Sequence, residues 1–447
     1  MRYRQLVLSA SAISTLKQCP WKFRNAYVHG IRPIEDAEPL RIGTLYHEGQ
    51  ELLMRNPESV CRKCANLGKP RPECFVCQGT GYLDDPMAAI ARMLNYKYST
   101  KYSGMDKDTT IRERAMIMYS LFAYANVYEE QDFSVISEEL PFRIPLLHPD
   151  THKPVEGIVI DGKIDKLIRW NDSKIVGIEE HKSTTNTVDP SSDYWSWLRL
   201  DTQVMMYIYA CNRLKADGLL APYGIKETDK PIYDALYDVW HKPQIKPKAL
   251  SAAETGKFLN PVDDDGIPCA YSKYYNREFH VEHKRDANGV VTNIKIDGDE
   301  VPFTLNKDKK QSPVVRETEA MYGCRIFDQA TENPEDFFGR KVLSRSADDM
   351  IGFERELYSL AMTAKFLIEN DAWYHNEKQC DAFSKCQYRH LCYSGTQVDG
   401  EHVPPGFKNI FEGKKHASTA DARRSEDKTE TATEEETSTE VGKPWDE

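Results

Sequence analysis

The run Gly162-Lys163-Ile164-Asp165 is followed, fifteen residues after Asp165, by Glu180-His181-Lys182. Two carboxylates and a lysine in this order can do chemistry if the chain brings them together. The residues around them read as neighbouring strands, about Gly157–Trp170 and Ile175–Lys182, with Asn171-Asp172-Ser173 as turn chemistry between them. Glu180 and Lys182 are two apart and therefore point to one face. Such a hairpin can bring Asp165, Glu180 and Lys182 to one end of a sheet. Carboxylates so placed suit a hard divalent cation with oxygen ligands, Mg²⁺ or Mn²⁺. The lysine can then orient or polarise a water that attacks a phosphodiester. Facing an open cleft, it would contribute little to packing. A surface hairpin with ordinary solvated charges would carry the same three residues, so the rest of the chain has to decide.

Further motifs occur in order. Ser11-Ala12-Ile13-Ser14-Thr15-Leu16 leads into Cys19-Pro20-Trp21-Lys22-Phe23 and Tyr27; Gly43-Thr44-Leu45-Tyr46-His47 comes next; Gln203-Val204-Met205-Met206-Tyr207 lies downstream. Gln203 and Tyr207 are i and i+4 and share a helix face. Together these resemble the PD-(D/E)XK nucleases, in particular the RecB-like branch with its AddB-type, CRISPR-adaptation and phage exonucleases. The motifs span residues 9–207, and a C-terminal cysteine set extends the likeness to about residue 395. The resemblance implies an α/β fold, a PD-(D/E)XK restriction-endonuclease-like mixed sheet flanked by helices. It implies His47, Asp165 and Glu180 as Mg²⁺ or Mn²⁺ ligands, helped by the main-chain carbonyl of His181. Lys182 would activate the attacking water, and Gln203 and Tyr207 would position DNA or brace the site. The implied activity is a metal-dependent deoxyribonuclease, an exonuclease on single-stranded or end-containing DNA in recombination, repair or phage DNA metabolism, with a helicase or recombination protein as a further partner. A non-catalytic DNA-binding or assembly subunit on the same fold is the rival reading, and it would have lost a ligand or the lysine. An RNase is a third, because the metal chemistry does not distinguish sugars.

Cysteine spacing adds two clusters. Cys61-x2-Cys64-x9-Cys74-x2-Cys77 is a pair of C-x-x-C knuckles, and four thiolates around a soft, redox-inert ion point to Zn²⁺. Rubredoxin-like iron is the alternative. Cys77-Gln78-Gly79-Thr80-Gly81 is similar to half of a DnaJ-type zinc repeat, while His148-Pro149-Asp150 lies between predicted strands and reads as a turn. The second set is Cys380, Cys386 and Cys392. Many RecB-like nucleases hold a [4Fe–4S] cluster with one cysteine before the core and three after it, which implies Cys19, Cys380, Cys386 and Cys392 here. The family spacing is often C-x2-C-x5-C; Cys386 and Cys392 match it and Cys380 is displaced. Buried, metal-free thiols are the alternative. Cys211, Cys269 and Cys324 have no pattern and read as packing residues.

The elements that must position these groups follow from periodicity. Residues 1–55 read as the helical N-terminal part, 56–85 as a Cys₄ zinc insertion, and 86–249 as the nuclease core. Within that core lie helices over 86–130, strands over 131–182, a helix over Tyr194–Leu214 and a strand over Tyr233–Trp240. Residues 250–345 read as a peripheral β-rich elaboration, and 346–396 as a helix leading to the last cysteines. Residues 414–447 read as a disordered acidic tail. The 447-residue chain has a net charge of −11, of which Ser425–Glu447 contributes −7. A nucleic-acid groove must therefore be locally positive, and His241–Lys248, with Lys242, Lys246 and Lys248, is the candidate segment. No apolar run reaches membrane-spanning length and no signal-peptide pattern is present, so the expectation is a cytoplasmic protein of a bacterial cell or phage-infected host.

Overall fold

The computed structural model describes residues 5–411 apart from 56, 66–67, 264, 308–310 and 383–384. The predicted tail, residues 414–447, lies outside the described residues. At the centre is a six-stranded mixed sheet. Its strands are β1 (Leu6–Leu8), β2 (Phe133–Leu147), β3 (Pro154–Trp170), β4 (Val176–Thr184), β5 (Asp234–His241) and β6 (Phe338–Ser344). The order is β1-β3-β4-β5-β6, with β2 on the other side of β3. β3 and β4 are antiparallel, as the hairpin pattern predicts, but they pair only from Lys166–Arg169 against Val176–Glu179. The first part of β3 pairs in parallel with β1 instead. The sheet therefore opens between β3 and β4 beside Asp165 and Glu180.

Both faces are covered, which explains why β5 is buried almost throughout. One layer holds α1 (Ala10–Gln18), α5 (Thr202–Ala216) and α7 (Ala347–Asn370), packed through Ile13, Leu16, Val204, Ile208 and Leu357 onto Ile178, Tyr237 and Val239. The opposite layer holds α2 (Glu38–Leu53), α3 (Pro86–Ser99), α4 (Lys107–Val127) and α6 (Glu319–Glu332), packed through Leu45, Ile90, Ile117 and Tyr322 with Trp240. Burying a large apolar side chain contributes roughly 1.5–3 kcal/mol, and Tyr46 stacks on the buried Trp240 at 3.8 Å. The helix starts are written locally. Asp85, Asp106 and Asp201 cap the amides of α3, α4 and α5, and Ser346 forms a capping box with Asp349.

Three expectations need correction. The predicted helix over Tyr194–Leu214 is broken: Tyr194–Trp197 and a short 3₁₀ turn precede Asp201, whose carboxylate accepts from the Gln203 amide and starts α5. The N-terminal part also contains a short strand, Ile31–Pro33, which pairs with Phe407–Asn409. Finally, residues 250–345 are not all peripheral. A small sheet of Tyr271–Tyr274, Arg277–Arg285, Val291–Ile296 and Asp299–Glu300 does stand apart from the central one. α6, however, packs on α4, and β6 pairs with β5 across the whole of Phe338–Ser344. Pairing between strands a hundred residues apart leaves no local trace.

At Gly177, where β4 begins, a Cβ would fall against the Trp170 indole and 2.8 Å from the Asp234 carbonyl oxygen. Gly177→Ala should destabilise the protein by about 1–3 kcal/mol through overpacking, read from the denaturant midpoint. An unchanged midpoint would show that the hairpin can shift to accept a methyl group.

Candidate active site

The predicted residues converge. His47, Asp165, Glu180, Lys182, Gln203 and Tyr207 all line one cleft of about 1250 Å³ at the opening between β3 and β4. Gly43 and His47 are one helical turn apart on α2. A Cβ at Gly43 would lie 3.0 Å from the Ser183 hydroxyl, so the glycine lets α2 approach β4 closely. His47 then reaches Asp165, with Nε2 3.0 Å from Oδ2. Burial opposes a charge on His47, but the Asp165 carboxylate outweighs it and raises the imidazole pKa. Burial likewise works to raise the Asp165 pKa, and His47 reverses this so that the carboxyl is held low. The His181 amide also donates to Asp165, at 3.4 Å. In a strand the amide and carbonyl of one residue point to the same side, so the His181 carbonyl faces the opening as well.

Glu180 is the strained member. Burial, followed by the neighbouring Asp165 charge, pushes its pKa up to about 8. One of its oxygens, Oε1, lies 2.7 Å from Lys182 Nζ, while Oε2 is buried without a hydrogen-bond partner. Two adjacent carboxylates, one with an orphaned oxygen, form a donor set that a divalent cation would satisfy.

Lys182 is more enclosed than expected, with a side chain 22 % exposed. It contacts Glu180, lies 3.1 Å from Asp201 Oδ2 and donates to Gln203 Oε1 at 2.8 Å. Burial acts to lower its pKa, but Glu180 and Asp201 prevail and keep it above the ordinary lysine value. The ammonium is therefore a fixed donor tied to structure as well as to the cleft. Gln203 Nε2 donates to the Tyr207 hydroxyl at 3.1 Å, completing a chain from lysine to helix. Burial, then the Glu180 charge, raises the Tyr207 pKa, so its hydroxyl keeps its proton.

The His181 side chain points the other way. With Glu179 it lies on the opposite face of β4, in a buried network of paired charges. Lys166 Nζ is 2.9 Å from Glu179 and 2.7 Å from His181 Nε2. Arg340 donates to Asp238 at 3.1 Å, and the Tyr124 hydroxyl donates to Asp238 too. Burial, then the Lys166 charge, drives the His181 pKa well down and leaves the ring neutral. The main chain of His181 faces the cleft, and its ring stands edge-on to that of His47 at 5.7 Å.

Sequence reasoning missed two cleft residues. Asp201 carries the helix-cap signal that would have divided Tyr194–Leu214 and put a second acid beside Lys182. Glu139 lines the cleft by virtue of strand register, which no motif reveals. The candidate phosphate segment is divided: Lys242 is buried, whereas Lys246 and Lys248 are exposed. Its backbone is anchored, since Tyr322 donates to the Ile245 carbonyl and Arg325 to that of Lys246.

Cys61, Cys64, Cys74 and Cys77 come together as a buried cluster that can hold a metal ion. Sγ of Cys61 is 3.8 Å from that of Cys74, and Cys64 is 3.6 Å from Cys77. Burial pushes Cys61 up to about 12. It also acts to raise Cys74, but the Cys77 and Val76 amides reverse this and bring that thiol down to about 7. Elsewhere, the segment before Cys380 docks on the turn around Cys19. Trp21 donates to the Tyr374 carbonyl, its ring stacks on His375 at 4.4 Å, and the Asn376 side chain donates to the Gln18 carbonyl. Burial first, then the nearby Cys386, Cys19 and Cys380 sulfurs, pushes the Cys392 thiol up to about 11. The Cys19, Cys380 and Cys386 sulfurs thus lie in the neighbourhood of Cys392. No helix among the described residues is long and apolar enough to cross a membrane.

The sequence model of the PD-(D/E)XK nuclease superfamily matches residues 7–393. No curated protein matches the chain.

Replacing Cys61, Cys64, Cys74 and Cys77 together by serine should remove about one bound metal ion per chain, the occupancy of a closed four-thiolate site. Elemental analysis of the two proteins reads this directly. Equal metal content would eliminate the cluster as a metal site.

Proposed function

The chain belongs to the PD-(D/E)XK nuclease superfamily, and from that premise we propose that it is a Mg²⁺- or Mn²⁺-dependent deoxyribonuclease. The observation that carries this is the buried Glu180 beside Asp165, with an orphaned oxygen and a charged lysine at its edge. His47, Asp165, Glu180 and the His181 carbonyl would hold the cation. When bound, the cation would polarise the phosphate and lower the barrier to attack by water.

The remaining work falls to side chains. Lys182 orients the attacking water and stabilises charge that develops on the phosphate as the new P–O bond forms and the ester bond breaks. Asp201 and Gln203 hold its ammonium in place, and Tyr207 fixes Gln203. The α1 wall presents Ser11, Ser14, Lys17 and Gln18 to the cleft, which suits a phosphate backbone. Leu40 and Leu200 line the same cleft, and Leu200 is 83 % exposed. Apolar side chains beside a polar wall suit unstacked bases, which supports single-stranded or end-containing DNA as substrate and exonuclease action. A role in recombination, repair or phage DNA metabolism beside a helicase rests on the family resemblance alone. The non-catalytic alternative is disfavoured because His47, Asp165, Glu180 and Lys182 are all present and face one another.

We assign Zn²⁺ to the Cys61/Cys64/Cys74/Cys77 cluster. A tetrahedral site with Zn–S bonds of about 2.3 Å has sulfur–sulfur edges of about 3.8 Å, close to the 3.8 and 3.6 Å separations. We assign a [4Fe–4S] cluster to Cys19, Cys380, Cys386 and Cys392, supported by the docking of the last segment onto the first helix.

Lys182→Ala should lower cleavage of end-labelled DNA by about a hundredfold or more, the usual effect of removing a transition-state donor. It should also reduce stability, because Glu180 and Asp201 lose their counter-charge. Lys182→Arg keeps the charge and serves as the folded control. Cleavage at the wild-type rate by folded Lys182→Ala would refute the assignment. For the iron–sulfur site, anaerobically purified protein should be brown, and Cys19→Ser should lose both colour and thermal stability, since the cluster would close a loop spanning most of the chain. A colourless, iron-free and stable wild type would remove the cluster and leave the nuclease site intact.

A further inference from the structure

The two short turns before α5, Tyr194–Trp197 and Leu198–Leu200, sort their side chains by threes. Trp195 and Leu198 are buried in the core. Trp197 and Leu200 are not: Trp197 is 61 % exposed and Leu200 more so. Residues three apart are neighbours on a helical turn and eclipse on a 3₁₀ turn, so Trp197 and Leu200 form one apolar stripe. Ser196 and Arg199 make an exposed polar stripe beside it. The backbone beneath is held. The Leu198 carbonyl accepts from the Tyr237 hydroxyl at 2.9 Å and from Arg345 at 2.7 Å, and the Trp195 indole N–H donates to the Asp189 carbonyl at 2.9 Å. An indole fixed in water forgoes the burial that its size would reward.

The stripe is continuous with the cleft. Leu200 lines it, and the next residue, Asp201, lies 3.1 Å from Lys182 Nζ. Arg199 pairs with Asp349 at 3.7 Å, both side chains being exposed, and such a pair has little energetic weight against a phosphate. We propose that Trp197, Leu200 and Arg199 form a ledge that receives an unpaired DNA strand on its way into the cleft. A base stacks on the Trp197 indole, Leu200 flanks it at the lip, and Arg199 takes an adjoining phosphate. An aromatic face accepts any base and a guanidinium takes phosphate without reading sequence, so the ledge grips a single strand of any sequence. Bases inside a duplex are already stacked on both faces and cannot offer one to the indole. This rests on the nuclease reading and deepens it, by naming what selects an unpaired strand at the same site.

Fluorescence anisotropy of a labelled oligothymidylate with the full chain, in buffer without added divalent cation so that the strand stays whole, tests the ledge. The side chains concerned are exposed, so the variants stay folded. Trp197→Ala should weaken binding at least about fivefold, the lower end of what one stacked base contributes. Trp197→Phe keeps a ring and should retain most of the affinity. On a strand of equal length with abasic sites in place of the thymidines, Trp197→Ala should bind as the wild type does, since no base is left to stack. Arg199→Gln should make the slope of log affinity against log salt shallower by about 0.7, the share of one phosphate on a single strand. Equal binding of oligothymidylate by wild type and Trp197→Ala, or an unchanged salt slope in Arg199→Gln, would overturn the proposal. So would an equal loss by Trp197→Ala on the abasic strand, which would make the role of Trp197 structural. A wild type that sediments as a dimer beside a monomeric Trp197→Ala would overturn it too, because a second copy would then cover the stripe. If the wild type cuts DNA and any of these contrary results is found, only the ledge fails. A wild type that neither binds nor cuts DNA would overturn the nuclease reading together with it.

Discussion

The two-residue alternation of β4 is the constraint on which the rest depends. A strand at the centre of a sheet covered on both faces would ordinarily be apolar. This one carries Glu179, Glu180, His181 and Lys182 in succession. Alternation sends Glu179 and His181 to one face and Glu180 and Lys182 to the other. Charges there are tolerable only if each is compensated. The molecule meets that condition differently on its two faces.

On the α4 side each charge has an opposite partner, although both Glu179 oxygens and His181 Nδ1 lack a hydrogen bond. Glu179 and Asp238 are matched by Lys166 and Arg340, Tyr124 adds a hydroxyl, and His181 stays neutral. A charge-paired network of this kind holds the register of β3, β4, β5 and β6, since each strand supplies a member. On the α5 side compensation is partial. Lys182 covers one oxygen of Glu180 and leaves the other bare. The charge-paired face below thus backs the face that opens, and the residue whose charge burial opposes, Glu180, is the one placed at the opening in the sheet.

The surrounding elements hold that opening. Gly43 brings α2 against β4 so that His47 meets Asp165. Arg62, next to the first knuckle cysteine, reaches Glu138 at 2.7 Å and Glu51 at 3.4 Å, and so links the cysteine cluster to both α2 and β2. Such half-exposed pairs are worth about 0–1 kcal/mol each, so they align the elements more than they stabilise them. At the other end, Tyr374 and Asn376 dock on the first helix and the turn after it, and Phe407–Asn409 pairs with the Ile31–Pro33 strand.

Much of this was legible in the chain because it is local. Period-two alternation gave the β3–β4 hairpin and the shared face of Glu180 and Lys182. Helical spacing gave Gln203 and Tyr207, and paired C-x-x-C spacing gave the cysteine cluster. What stayed hidden depends on residues far apart in sequence. The membership of Phe338–Ser344 in the central sheet is set by Asp234–His241, and the place of Glu139 by its register against Asp165. The enclosure of Lys182 depends on a helix cap at Asp201 that adjoins it only in three dimensions. The sequence by itself determined which residues could do chemistry, since residue type and short-range periodicity fix side-chain direction. Only the tertiary structure decided which carboxylates come within reach of one another, because that distance is set by strand register and by where the sheet comes apart.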